Sequence, residues 1–222
     1  MLKAVLLDVD GTLLDSNDAH ARAWREALLA HGRDVPYDTI RPLIGKGGDK
    51  LLREVAGIDD QSAEGQAISD ERRALFAGRF LPELKPTPGA RDLLVRLQSE
   101  GFLLVVATSA GGEELGPLLK QAGVEDLLTI VASSSDATAS KPEPDIVHAA
   151  LEKGRIRPDE AIMLGDTPYD IDSARAAGVR SIVVRCGGWW SDSALAGAAA
   201  IYDDPAHLLL KMAESPLHRE PG

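Results

Sequence analysis

An apolar segment that ends in two carboxylates is the feature that most constrains how this chain can fold. Residues 4 to 12 read Ala-Val-Leu-Leu-Asp-Val-Asp-Gly-Thr, so Asp8 and Asp10 stand between a hydrophobic run and a turn-forming glycine. Such a run is typical of a buried parallel strand, and binding residues lie just beyond the carboxyl ends of these strands. Side chains two residues apart in a strand share a face, so one carboxylate could serve as nucleophile and the other as proton carrier. Taken alone, the Asp-Gly pair is more often a hairpin turn.

Three later segments repeat the pattern of a hydrophobic strand followed by polar residues. Their apolar runs cover residues 102–107, 128–132 and 161–165. The polar residues that follow are Thr108 and Ser109, then Lys141 after a serine-rich loop, then Asp166 and Asp170. Each has an ordinary explanation, since a lysine before proline is usually solvated and threonine or aspartate often caps a helix or forms a turn. Coincidence explains the set poorly, so we predict one shared site at the strand ends.

The first third of the chain reads as helical. Apolar residues recur at helical spacing from Ala19 to Leu28, and further helices are predicted over residues 36–45 and 49–56 and in a long segment that ends at Phe80. No strand is evident between residues 16 and 81. These residues therefore predict a helical insertion after the first strand.

The remainder of the chain predicts an α/β fold. Three prolines between Leu81 and Pro88 form a stiff boundary, and helix and strand alternate from Gly89 onward. This alternation predicts a doubly wound parallel sheet with a Rossmann-like topology. We expect a core domain of residues 1–15 and 86–222 and a small all-helical domain of residues 16–85, with a frayed tail from Ser215 to Gly222.

Charge and composition exclude several classes of partner. The chain has 222 residues, with 24 basic against 35 acidic side chains, whereas nucleic acids and anionic membranes require basic patches. No apolar stretch approaches a membrane span, and the N-terminal run reaches an aspartate too soon for a signal peptide. Cys186 is the only cysteine, which excludes an internal disulfide and fits a reducing compartment. We therefore expect a cytoplasmic protein, monomeric or homodimeric, that binds neither nucleic acid nor membrane.

The motifs resemble, in order, those of the haloacid dehalogenase superfamily. The matching segments are Asp8-Val-Asp10-Gly-Thr-Leu-Leu-Asp, Ala-Thr108-Ser, Ser-Lys141-Pro and Leu-Gly-Asp166-Thr-Pro-Tyr-Asp170. The resemblance extends from residue 3 to about residue 203, and the helical insertion is similar to the family's cap domain. The dehalogenases themselves lack the second aspartate, here Asp10. The chain therefore resembles the branch of phosphatases and phosphomutases, which implies a small phosphorylated metabolite as substrate.

The charges of the predicted site imply a metal cofactor. Four carboxylates face one lysine, and a phosphate monoester would add nearly two negative charges. Each like-charge pair at ~4 Å costs about 4 kcal/mol at an effective dielectric constant near 20. Oxygen ligands of this kind suit Mg²⁺. The resemblance implies that Asp8, the backbone carbonyl of Asp10 and Asp166 bind the metal, while Asp170 holds metal-bound water.

The resemblance also implies the roles of the remaining residues. Asp8 attacks phosphorus and becomes an aspartyl phosphate. Asp10 protonates the leaving oxygen and later deprotonates the attacking water, while Thr108, Ser109 and Lys141 bind the phosphoryl oxygens. Two non-enzymes remain as alternatives, a two-component receiver and a catalytically silent, ligand-binding relative. Receivers place their phosphorylated aspartate before the threonine and lysine but lack both the helical insertion and two carboxylates after the lysine.

The substrate is less constrained by the sequence. The segment from His20 to Trp24 resembles the entry into the cap of β-phosphoglucomutase, although a core tryptophan and a surface or capping histidine explain it as well. A mutase needs a cap cation for its second phosphate, and Gly48 stands at that position, which favours a phosphatase. Lys46 or Lys50, in a glycine-rich loop, could meet an anionic substrate, or the loop could be a hinge.

Two tryptophans follow the predicted fifth strand. We expect Trp189 and Trp190 to pack against the protein, or to form a dimer contact.

Overall fold

The computed structural model describes residues 1–218, and its centre is a six-stranded parallel sheet. The strands are β1 (Ala4–Leu7), β2 (Leu103–Ala107), β3 (Ile130–Ala132), β4 (Ala161–Gly165), β5 (Arg180–Val184) and β6 (Ala200–Tyr202). Their order in the sheet is β3-β2-β1-β4-β5-β6, and every neighbouring pair is parallel. The chain first runs outward from β1 to β3, then returns to β4 on the other side of β1. This confirms the predicted doubly wound α/β fold and puts the change of direction at β1 and β4.

Helices connect the strands and fill the segment between β1 and β2. The α-helices are α1 (Asn17–Ala30), α2 (Tyr37–Ile40), α3 (Gly48–Ala56), α4 (Ala63–Leu75), α5 (Ala90–Ser99), α6 (Gly112–Gln121), α7 (Asp145–Gly154), α8 (Pro168–Ala176) and α9 (Pro205–Leu210). A π-helical turn, Phe76–Phe80, extends α4. The helix predicted over residues 36–45 was too long. It divides into α2 and a 3₁₀ turn, Arg41–Leu43, and ends where Ile44 is extended and Gly45 has a φ of 103°.

Both faces of the sheet are buried, as its apolar strands require. Along β1 the side chains alternate, so that Val5 and Leu7 join one hydrophobic cluster and Leu6 joins another. Helix α5 supplies Leu93 to the first cluster, and α7 supplies Val147 to the second. Because strands buried on both sides cannot shift without exposing apolar surface, their carboxyl ends form a fixed edge for a site.

The helices between β1 and β2 have a hydrophobic cluster of their own, which includes Trp24, Leu28, Ile40, Leu52 and Ile68. Within the described residues, this segment contains no strand, as predicted. We call residues 16–85 the helical insert. Its two connections to the sheet lie side by side, since Leu14 forms an antiparallel bridge with Pro86. The separate cluster supports the predicted division into core and cap domains, which stays a prediction.

The end of the chain differs from the sequence-based expectation. Ser215 and Leu217 are buried, so the start of the predicted frayed tail packs against the protein, with Leu217 in the main hydrophobic cluster. The prediction for residues 219–222 lies outside the described residues. In residues 1–218, the helices are all too short or too polar to cross a membrane.

Candidate active site

The two N-terminal aspartates lie in a tight turn directly after β1. The backbone N–H of Asp8 donates to the carbonyl of Leu164 in β4, which continues the sheet to this residue. Gly11 follows with a φ of 75°, and a side chain at that position would collide with Asp166. Both the strand end and the turn therefore exist, and the glycine is needed for conformation and for space.

Lys141 joins the ends of three different segments. Its Nζ lies 2.7 Å from Oδ1 of Asp8 and 2.6 Å from Oδ1 of Asp170, and the side chain is only 1% exposed. Burial alone would lower the pKa of Lys141, but Asp170 and Asp8 raise it, so the ammonium stays charged. A lysine before proline is usually solvated, whereas Lys141 is a fully buried cation between two carboxylates.

The Asp170 carboxylate both caps a helix and binds Lys141, and the sequence alone could not show which of these roles it has. It stands in the first turn of α8, where its Oδ2 accepts hydrogen bonds from the N–H and Oγ1 of Thr167 at 3.0 and 2.7 Å. The Thr167 hydroxyl in turn accepts from the N–H of Asp170, which makes a capping box. The cap fixes the carboxylate so that its other oxygen reaches Lys141.

Three buried carboxylates form a group that fits a metal ion. One oxygen from each of Asp8, Asp166 and Asp170 lies within 4.8 Å of the others. Burial raises the pKa of Asp8 to about 8 despite the adjacent lysine, and burial together with Asp170 raises the pKa of Asp166 well above its usual range. The cluster is thus short of positive charge, and hard oxygen donors at this spacing suit Mg²⁺.

Asp10 points away from this group and toward the helical insert. Its Oδ1 accepts from Oγ of Ser16 at 2.5 Å and lies 2.9 Å from Nε2 of His20. Burial favours a higher pKa for Asp10, but His20 and Ser16 outweigh it and lower the pKa. The His20 ring stacks on Phe76 with centroids 3.9 Å apart. His20, predicted as a possible substrate contact, is therefore placed against Asp10.

Asn17 was missed by the sequence analysis. Its Nδ2 donates to Oδ2 of Asp166 at 2.7 Å and to the carbonyl of Gly187 at 3.3 Å, while its Oδ1 is buried with no hydrogen-bond partner. Any side chain at Gly187 would collide with Asp166. The only sequence signal was a Ser-Asn pair at the start of a predicted helix, which normally indicates a cap.

Thr108 and Ser109 follow β2 at the same edge of the sheet. The buried Thr108 hydroxyl accepts from the N–H of Ala110 at 3.1 Å, and the Ser109 hydroxyl donates to the carbonyl of Gly45 in the helical insert at 3.2 Å. Both residues line a cavity of about 930 Å³ between the sheet edge and the insert, together with Asp8 and Asp10.

Neither lysine of the glycine-rich loop lines this cavity, and their contact with a substrate stays a prediction. Lys46 pairs with Glu54 at 2.6 Å and lies over the ring of Tyr169. Lys50 pairs with Glu143 and donates to the carbonyl of Ser140 at 2.7 Å. Glycines 45, 47 and 48 line the cavity instead, because the loop turns its backbone inward and its long side chains toward nearby carboxylates.

An ion pair between the helical insert and the core, which lines the cavity, was also missed. Arg72 of α4 binds Glu114 of α6 through two hydrogen bonds of 2.6 and 3.1 Å, and the guanidinium lies 5.1 Å from the Trp24 ring centroid. The side chains are only 11% and 13% exposed. In sequence, Arg72 is one of several charges on an amphipathic helix, so nothing distinguished it.

The loop after β5 only partly follows the packing prediction. Trp190 is half-buried and meets Tyr169 edge-on at 5.8 Å, whereas Trp189 is 40% exposed beneath the guanidinium of Arg41. Arg41 also donates to the carbonyl of Gly187. Arg41 therefore covers one face of the Trp189 ring and solvent reaches the rest, and the alternative of a dimer contact stays a prediction.

Comparisons with known proteins agree with this architecture. The family profile of haloacid dehalogenase-like hydrolases matches residues 5–184. The chain is 33% identical over 185 residues to a phosphoglycolate phosphatase of Nitrosospira multiformis, covering 80% of each protein. It is 27% identical to an N-acetylmuramic acid 6-phosphate phosphatase of Pseudomonas aeruginosa, covering 94% of this chain and 93% of that protein. A hydrolase from Pseudomonas syringae superposes with a TM-score of 0.88 at 28% identity, covering 96% and 98%.

The chain belongs to the haloacid dehalogenase-like hydrolase family. Its relatives class it with the phosphoric monoester hydrolases. Membership of this family excludes the alternative that the chain is a two-component receiver.

Proposed function

We propose that the protein is a Mg²⁺-dependent phosphatase that hydrolyses a small phosphate monoester through an aspartyl-phosphate intermediate on Asp8. The observation that carries the proposal is the position of Asp8 at the floor of a cavity, 2.7 Å from a buried and charged Lys141. A carboxylate held there can approach phosphorus, while the ammonium binds phosphoryl oxygens. Asp10 stands on the same cavity wall with its own partners, so the two carboxylates have different surroundings.

The metal would be held by the carboxylates of Asp8 and Asp166 and the backbone carbonyl of Asp10, with Asp170 beside them. The raised pKa values of Asp8 and Asp166 support this, because a cation would keep both ionised. When bound, Mg²⁺ supplies the positive charge that lets a dianionic ester approach four carboxylates.

The reaction divides into two steps. An oxygen of Asp8 forms a bond to phosphorus while the ester P–O bond breaks, and Asp10 gives its proton to the leaving oxygen. Asp10 then takes a proton from water, whose oxygen attacks the phosphoaspartate, releases inorganic phosphate and restores Asp8. Thr108, Ser109 and Lys141 bind the phosphoryl oxygens in both steps.

The protonation state of Asp10 follows from its neighbours. In the free protein, His20 and Ser16 keep the pKa of Asp10 low, which suits the base of the second step. The first step needs the protonated form, which the negative charge of a bound phosphate would favour. Proton uptake would therefore accompany substrate binding.

The β-phosphoglucomutase alternative requires a cap cation at the position of Gly48, and it receives no support there. Gly48 lies against Trp24, so a side chain there would approach the indole ring at 2.9 Å. Phosphate release from a panel of esters, measured with Mg²⁺ and with a chelator, tests the proposal. Release that requires Mg²⁺ is expected, whereas conversion of β-glucose 1-phosphate without phosphate release would identify a mutase.

A further inference from the structure

The cavity beyond Asp8 is larger than a small phosphorylated acid requires. Its volume is about 930 Å³. A molecule in liquid water takes up about 30 Å³, and covalently bonded atoms take up less, so phosphoglycolate would occupy at most roughly 270 Å³ and a hexitol phosphate at most roughly 480 Å³. The space therefore fits a leaving group of the size of a sugar or larger.

The cations in the cavity wall are already paired. Of the described residues that line it, two are arginines, and seven carry carboxylates. Both Nη atoms of Arg72 donate to Glu114 while its buried Nε has no partner, and Arg73 forms an exposed pair with Asp70. Bidentate arginine–carboxylate pairs are strong and geometrically specific, and breaking a buried pair is costly. A second anionic group on a substrate would have to displace Glu114 to reach the Nη atoms of Arg72.

The rest of the wall on the insert side offers hydrogen-bonding groups without positive charge. Gln61, Gln66 and Ser69 line it, with Asp49 and Asp60 beside them. Amides and hydroxyls both donate and accept, and carboxylates accept from hydroxyl groups. This set suits a substrate with many hydroxyls and repels one with a carboxylate.

We propose that the cavity selects phosphate esters with an uncharged, polyhydroxylated leaving group, and that the Arg72–Glu114 pair excludes esters that carry a second anionic group. The inference rests on the proposed function, since it assumes that the phosphate binds at Asp8. It separates this chain from its phosphoglycolate phosphatase relatives, because phosphoglycolate should be a poor substrate. Glu114 occupies the guanidinium that a substrate carboxylate would otherwise use.

Two esters that differ only at the far end of the leaving group give a direct test. Sorbitol 6-phosphate ends in a hydroxymethyl group where 6-phosphogluconate has a carboxylate. Binding of each to Asp8→Asn protein in Mg²⁺ is measured by calorimetry, and the ratio of their kcat/KM values is measured with wild-type enzyme. We expect sorbitol 6-phosphate to be favoured by at least about tenfold in both ratios, a difference of ~1.4 kcal/mol. Equal or reversed preference, or no binding of either ester, would overturn the proposal.

Glu114→Gln tests the role of the ion pair. The substitution keeps the shape of the side chain but frees the Arg72 guanidinium for a carboxylate, so the preference for sorbitol 6-phosphate should fall at least about fivefold. Glu113→Gln is the matched control, since Glu113 lines the same cavity but is exposed and its loss frees no guanidinium. That variant should change the ratio less than about twofold. An equal effect of both variants would show that general charge, and not the pair, sets the preference.

Turnover of p-nitrophenyl phosphate by wild-type enzyme keeps the two proposals apart. An enzyme that hydrolyses this ester but prefers 6-phosphogluconate is a phosphatase with a different specificity. A protein that binds sorbitol 6-phosphate selectively but hydrolyses no ester would support the proposed selectivity of the cavity and contradict the proposed function.

Discussion

Nζ of Lys141 lies 2.7 Å from Oδ1 of Asp8, although the two residues are 133 positions apart in the chain. The contact joins the end of the central strand to the loop before α7, and both groups are buried. A charged lysine at this distance lowers the pKa of Asp8, yet burial outweighs it and leaves that pKa near 8. Asp8 thus needs more positive charge than the protein provides to be fully ionised at neutral pH.

The nucleophile is tested by Asp8→Asn. An amide of the same shape cannot attack phosphorus, so kcat for p-nitrophenyl phosphate should fall by about 10⁴ or more while the protein stays folded by circular dichroism. Asp15→Asn, an exposed aspartate in the same segment, is the matched control and should retain activity. Substantial turnover by pure Asp8→Asn protein would exclude the covalent mechanism.

The metal site is tested by Asp166→Asn. Loss of one carboxylate ligand should raise the Mg²⁺ concentration for half-maximal rate by about tenfold or more, and should weaken Mn²⁺ binding measured by calorimetry without substrate. Asp172→Asn, half-buried in α8 and paired with Arg175, controls for the loss of one negative charge nearby. If both variants titrate like the wild type, Asp166 is not a metal ligand.

His20→Phe tests whether the histidine acts through Asp10. The phenyl ring can still stack on Phe76, but Asp10 loses the partner that lowers its pKa. A higher pKa leaves Asp10 protonated for the first step but makes it less available as the base of the second step, which both esters share, so kcat at acidic pH should fall about tenfold for an alkyl ester and for p-nitrophenyl phosphate alike. The acid limb of the pH profile should also move to higher pH. A loss of the same size at every pH would assign His20 a structural role.

Lys50→Ala and Lys46→Ala form a matched pair, since both lysines come from the same loop. Lys50 and Asp49 bind Ser140, the residue before Lys141, whereas Lys46 pairs with Glu54 within the insert. Lys50→Ala should lower kcat for every ester by roughly tenfold, because Lys141 must be held within a fraction of an ångström for efficient catalysis. Lys46→Ala should change kcat less than about twofold. A rise in KM without a change in kcat for Lys50→Ala would indicate that Lys50 binds the substrate and does not position Lys141.

Metal removal should make stability depend on pH in a defined direction. The folded protein keeps a proton on Asp8 up to about pH 8, whereas the unfolded chain releases it near 3.8. The folded state therefore binds more protons across this window, so the free energy of unfolding falls as pH rises through it. In chelator, the denaturant midpoint should decrease with pH more steeply than in saturating Mg²⁺. Asp8→Asn should reduce that dependence, and a midpoint that rises with pH equally in both conditions would contradict the assignment.

The strand ends were predictable because they depend on local chemistry. Asp8, Thr108 and Asp166 each follow an apolar run. Because the runs form buried strands that are parallel to their neighbours, the residues after them meet at one edge of the sheet. The helical character of the insert followed from spacing and breaker residues in the same way. Those signals were enough to predict the fold class and the family.

Contacts made by the insert could not be predicted from the sequence. Asn17 meets Asp166, 149 residues later, and Arg72 meets Glu114 across the cavity. Helical periodicity says which residues share a face, but not which part of the sheet edge that face will cover. The same limit applies to Lys46 and Lys50, since a loop of glycines has no sequence signal for the direction of its side chains.

The sequence by itself determined the family and the edge of the sheet where Asp8, Thr108 and Asp166 lie, and it predicted a need for a cation there, because each follows from residue type and strand order. Tertiary structure alone decided that Asp10 is paired with His20, that Lys141 is fully buried and that Arg72 is paired with Glu114. These properties depend on the packing of the helical insert over the sheet edge. Packing sets burial and distance, and these in turn set the strength of every charge in the site.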